Sequence, residues 1–281
     1  MRVCCLPVFT RRPKMAIEWI LAFLALGCFA GVMAGLLGIG GGGIMVPLLT
    51  SIFLAQGIAP EAVVHLALGT SMATIVMTSL SSMRAHHARG GVIWPVVKAM
   101  APGVIVGTFA ATFVAARISS LYLAGFFALF MGYVAFTMLR AKTPTAGGKT
   151  AGNAELAAAG AGIGAVSALV SIGGGSLTVP YLSWRSIEIK KAIGTSAAVG
   201  LPISIAGTAG YLLNSQSGAE LPFTVGLVYV PAVLLMSAAS FICAPLGAKL
   251  AHKLPVATLK RLFGILLLLL SLKMLASLLA H

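Results

Sequence analysis

The chain has 281 residues, 59% of them hydrophobic and only 9% charged, with a mean hydropathy of +1.04; soluble domains carry roughly 25% charged residues. That balance excludes an ordinary soluble domain and places the chain in the membrane class. Nineteen Lys and Arg against five acids leave a net charge of +14, but the basic residues sit in short segments between apolar runs and form no stripe, so they mark cytoplasmic loops and exclude a nucleic-acid partner.

In chain order, residues 1–14 form a basic extension that lacks the apolar core and cleavage site of a secretory signal. Apolar runs follow at Ala16–Leu37, Ile44–Ala55, Ala62–Met83, Gly91–Ala116 and Ser119–Leu139, within a first repeat spanning 15–140. Residues 141–153, with Pro144 and the Gly147–Gly148 pair, read as a linker. A second repeat, 154–281, has runs at Ala154–Ile172, Leu177–Trp184, Ala192–Leu213, Pro222–Leu250 and Pro255–Ala280. The long runs reach the ~20 residues that cross ~30 Å of hydrocarbon as helix, whereas Ile44–Ala55 and Leu177–Trp184 do not. The fold class is therefore all-α: a polytopic transmembrane helical bundle embedded in a lipid bilayer.

The halves repeat each other. GIGGGGIMVPLL at Gly38–Leu49 is echoed by SIGGGSLTVPYL at Ser171–Leu182, at an offset of 173 − 40 = 133. ALGTSMA at Ala67–Ala73 is echoed by AIGTSAA at Ala192–Ala198, at an offset of 194 − 69 = 125. Two shared motifs in the same order indicate duplication.

The positive-inside rule assigns Arg84/Arg89, Arg140/Lys142/Lys149, Arg185/Lys190/Lys191 and Lys249/Lys253/Lys260/Arg261 to the cytoplasm, and the base-free segments Gln56–Glu61 and Ser215–Leu221 to the outside. If each short Gly-linked piece completes a helical hairpin, each half has five segments and the second is inverted relative to the first. The N-terminus then lies outside, against the charges of Arg2, Arg11, Arg12 and Lys14. Translation from Met15 removes that conflict, as does a single crossing by the first Gly-broken segment; the inverted arrangement is the preferred reading.

Four glycines in a row, Gly40, Gly41, Gly42 and Gly43, interrupt a helix, since each costs ~1 kcal/mol relative to Ala. Gly173, Gly174 and Gly175 do the same in the second half. Backbone freed in this way must be buried in protein or line a wet cavity, and paired broken helices point to a transport site. Bare N–H groups at the positive start of a restarted helix suit an anion. Pro47 and Pro180 kink the restarted segment or sit in its first turn. Ser176 and the pairs Thr70/Ser71 and Thr195/Ser196 are candidate neutral donors to a small anionic substrate. For Gly-Thr-Ser alone, helix packing is the favoured role.

The acids Glu18, Glu61, Glu155, Glu188 and Glu220 all lie at or near run ends, which argues against a carboxylate-lined cation path. Cys4, Cys5, Cys28 and Cys243 lack metal-site spacing. His65 and Lys190, equivalent at offset 125, and His86–His87 read as solvated loop residues, and Lys98 and Lys273 as snorkelling ones. No Asp pair or HExxH motif supports intramembrane catalysis.

The duplicated motifs GIGGGGIMVP at Gly38–Pro47 and SIGGGSLTVP at Ser171–Pro180, each followed by A-x-G-T-S, resemble those of the TauE/SafE family of membrane permeases, often called sulfite exporters, over nearly the whole chain from Met15. The resemblance implies a multi-pass protein of the bacterial inner membrane that exports sulfite or organosulfonates, without a cofactor. One departure is visible: Ser171 and Ser176 stand where the first half has Gly38 and Gly43.

Overall fold

A computed structural model describes residues 17–37, 40–140, 152–215, 221–251 and 256–279. The N-terminal extension, Gly38, most of the linker and most of Ser215–Leu221 lie outside the described residues. Ten helices are present among those described: α1 (Ile17–Leu37), α2 (Gly42–Ala55), α3 (Pro60–His87), α4 (Trp94–Ala115), α5 (Ser120–Arg140), α6 (Asn153–Val170), α7 (Gly175–Trp184), α8 (Ile189–Leu213), α9 (Val230–Ala251) and α10 (Val256–Leu279). Seven of them, α1, α3, α4, α5, α6, α8 and α9, are long and apolar enough to cross a membrane. Pro in the first turn of α3 and α4 opens those helices where a missing N–H is least costly.

One apolar run breaks up. Pro222–Leu250 reads as continuous, yet helix begins only at Val230. The residues before it form a two-strand hairpin, β1 (Thr224–Val225) and β2 (Val228–Tyr229), turned at Gly226. Apolar content alone does not distinguish a short strand pair from helix.

Helix directions follow from close contacts. Gly27, Gly31 and Gly35 of α1 press successively on Met236, Ser240 and Ala244 of α9, so these two helices run parallel at close range. Gly103 and Gly107 of α4 meet Ala157 and Ala161 of α6 in the same way. Small residues let membrane helices approach closely enough for dispersion and weak hydrogen bonds to hold them. α3 keeps step with α9, through Thr70 to Tyr229 and Thr78 to Ser240. α4 runs back against α3, its end at Ala115 reaching His65 near the start of α3. Thus α1, α3 and α9 point one way, and α4 and α6 the other.

The two short helices fold back. Arg185 at the end of α7 pairs with Glu155 at the start of α6, and the Tyr181 hydroxyl donates to the same carboxylate at 3.1 Å. α2 likewise returns along α1, since Trp19 and Ala22 line one groove with Ile52 and Ala55. The first Gly-broken segment is therefore a hairpin and not a single crossing. Pro47 and Pro180 each occupy the sixth position of a returning arm, inside the helix and past its first turn.

At 1.5 Å per residue α2 is ~21 Å long and α7 ~15 Å, against ~42 Å for α3, so neither returning arm crosses the bundle. The starts of these two arms lie within the bundle and touch. Gly40 lies against Gly173, and Gly42 against the carbonyl of Ser171. Ile75, midway along α3, packs on Gly40 and Gly42, while Gly200 of α8 packs on the Gly173 carbonyl.

Candidate functional site: the junction of two hairpin tips

The returning arms start alike. Gly41 (φ 80°, ψ −7°) and Gly174 (φ 77°, ψ −17°), related by the offset of 133, cap α2 and α7 in the left-handed conformation without a side-chain hydrogen bond. A side chain in this conformation is strained, which accounts for glycine at both positions. Close approach accounts for Gly42, because a methyl there would overlap the Ser171 carbonyl oxygen. Ser171 itself is left-handed at φ 48°, and its hydroxyl donates to Leu68 O of α3 at 3.0 Å, tying the second tip to the first half.

The second tip is rich in uncommitted donors. Ile172 N–H bonds Ser167 O, and the N–H groups of Leu177 and Thr178 bond Gly174 O, but those of Gly173, Gly174, Gly175 and Ser176 have no backbone acceptor. The hydroxyls of Ser167 and Ser176 are buried and unpartnered. Both line one crevice with Gly174, Phe130, Val170 and Ile172. The crevice is too narrow to admit a water molecule. A buried hydroxyl without a partner costs about 1–3 kcal/mol, so this cluster is a local polar deficit that an acceptor would relieve.

The first tip is built differently. Gly43 replaces Ser176 and faces the side chains of Leu267 and Met131. Ala34, fully buried, stands where the second half has Ser167. The run Gly40–Gly43 thus packs against main chain and apolar side chains, with Pro47 also buried. Pro180 is exposed on α7.

The Gly-Thr-Ser motifs separate into two tasks. Thr70 Oγ1 accepts the Tyr229 N–H at 3.0 Å just before α9, and Thr195 Oγ1 accepts the Ile93 N–H at 3.0 Å just before α4. The preceding glycines make room, Gly69 for the Leu227 carbonyl and Gly194 for that of Gly91. The threonine oxygens therefore clasp the starts of two helices. Ser71 lies one turn before Ile75, which touches the first tip, and its buried hydroxyl has no partner. Ser196 lies one turn before Gly200, and its hydroxyl donates to Ile193 O at 2.9 Å.

Two histidines differ from expectation. His65 is fully buried: Nδ1 meets Ser120 Oγ at 3.1 Å, and Nε2 faces the carbonyls of Ile118 at 2.9 Å and Ala115 at 3.2 Å. It holds the α4–α5 turn onto α3 and is not a solvated loop-end residue, although Lys190 is exposed. His86 belongs to α3 and reaches Gly35 O at 3.2 Å; only its neighbour His87 is exposed. Cys28 is exposed on the outside of the bundle.

Sequence reasoning did not single out Ser167 or Phe130. Ser167 and Ser171, four apart at the end of an apolar run and hence on one helix face, were the available signal for the first. Phe130 comes from another helix and carries no local signature.

Seven helices among the described residues are long and apolar enough to cross a membrane, and two short returning arms meet between them, the build of a multi-pass membrane protein. The family model described as Sulfite exporter TauE/SafE matches residues 23–274, and the chain belongs to that family. It is 36% identical over 258 residues to a probable membrane transporter protein of Haemophilus influenzae, covering 91% of this chain and 98% of the relative. Probable membrane transporter proteins of Methanocaldococcus jannaschii (27% over 246 residues, 86% and 91% covered) and Bacillus subtilis (26% over 243 residues, 82% and 89% covered) are also similar. No solved structure matches the chain. The family is one of transporters and not of enzymes.

Proposed function

We propose that this protein exports a small sulfur-containing anion, sulfite or an organosulfonate, across the inner membrane, holding it where the hairpin tips meet. The observation that carries the reading is the second tip. Two unpartnered serine hydroxyls and the main chain of Gly174 and Ser176, at the positive end of α7, line one buried crevice, and the N–H groups of both residues lack a backbone acceptor. The description of the family supports the substrate class. With the sequence repeat carried on oppositely directed hairpins, rocking of one hairpin against the other opens the crevice to each side in turn, as in other transporters built from inverted repeats.

The test is transport by purified protein in liposomes, screened with sulfite, sulfonates, thiosulfate and sulfate. Accumulation or release of at least one of them, abolished by Ser176→Asp in protein that still folds, supports the reading. Movement of none overturns it.

A further inference from the structure

Resting on the anion reading above, we infer that the α7 tip is the anion seat and that it accepts a singly charged anion while rejecting dianions. The crevice is lined by Phe130, Ser167, Val170, Ile172, Gly174 and Ser176, with Leu177 beside them, and none of these carries a charge. The nearest basic residue along the hairpin is Arg185. It lies at the far end of α7, ~15 Å from the tip, and is paired with Glu155.

The seat therefore offers only dipoles: serine hydroxyls, main-chain N–H groups and a helix end worth about half an elementary charge. Dipoles of this strength suit one negative charge, but the cost of desolvating an ion rises with the square of its charge. A dianion would need a compensating cation within the crevice, and the first tip supplies none, because Gly43 is walled by Leu267 and Met131. That tip also lacks both hydroxyls, having Gly43 and Ala34 at the equivalent positions. The two halves are thus unequal: one binds, the other bears on it.

Sulfite and hydrogensulfite interconvert near neutral pH, so the seat takes the protonated monoanion, and transport of total sulfite falls as pH rises through that step. Proteoliposomes holding the full-length protein separate the possibilities, using methanesulfonate, a monoanion throughout, alongside sulfate, thiosulfate and sulfite. Methanesulfonate should move at a rate that is flat in pH. Sulfite should follow its monoanion fraction, and sulfate and thiosulfate should be at least about tenfold slower. Ser167→Ala should weaken the apparent affinity for methanesulfonate by roughly five- to tenfold. Sulfate or thiosulfate moving as fast as methanesulfonate would overturn the charge rule while leaving an anion transporter. An unchanged affinity in Ser167→Ala would overturn the placement of the seat. If no anion moves at all, methanesulfonate included, the anion reading fails with it.

Discussion

Gly42 lies flush against the main-chain carbonyl of Ser171, so the two hairpin tips meet backbone to backbone, with no side chain between them. Gly42→Ala must displace one tip, because its methyl would overlap a carbonyl that cannot rotate away. Overpacking of this kind costs about 1–3 kcal/mol, and we expect a lower melting temperature in detergent together with loss of transport. Gly43→Ala should be milder, since its methyl meets only the flexible ends of Leu267 and Met131. Comparing the melting curves and transport rates of the two variants checks the tip contact.

Charge placed in the crevice should act on transport before stability. Ser176→Asp puts a carboxylate among donors that await an anion, and we expect normal insertion with transport abolished, because like charges repel strongly where water is scarce. Ser176→Ala should cost only about 1 kcal/mol of substrate binding, one hydrogen bond. Parental kinetics in the Asp variant would place the substrate elsewhere.

The clasp threonines should behave in the opposite way. Thr70→Val and Thr195→Val strand the N–H groups of Tyr229 and Ile93, for a loss of about 1–3 kcal/mol of stability each. Apparent anion affinity in the folded fraction should be unchanged, and Thr→Ser should restore stability by returning the acceptor. A shift in affinity without a shift in melting temperature would assign these residues to the substrate.

Opposite ends of α3 should lie on opposite sides of the membrane. Cysteines introduced at Gly57 and Gly90, in the turns flanking α3, should react with impermeant reagents from outside and inside respectively, because Arg84 and Arg89 mark the cytoplasmic end. Labelling of both from one side would contradict the direction assigned to α3.

Much of the fold was legible because hydrophobic run length reports directly on a helix that crosses a membrane, and glycine runs report where it stops. The start of α9 was not legible, since Leu227, Val228 and Tyr229 are as apolar as the helix that follows. The tips were visible as motifs, but their contact depends on a separation of more than 100 residues along the chain, which no local pattern encodes. Thr70 and Ser71 look alike as hydroxyl donors in sequence. Only the positions of Tyr229 and Ile75 show that one holds a helix start while its neighbour is left unpaired beside the tip contact. His65 read as loop-like from its place near a run end, yet three partners from the α4–α5 turn bury it.

The narrowness of the crevice has a consequence for the energetics of the cell. Protons hop along files of water, and a membrane that stores a proton gradient cannot tolerate a continuous file through any of its proteins. The crevice beside Ser167 and Ser176 has no room for a water molecule, so it offers no link in such a file.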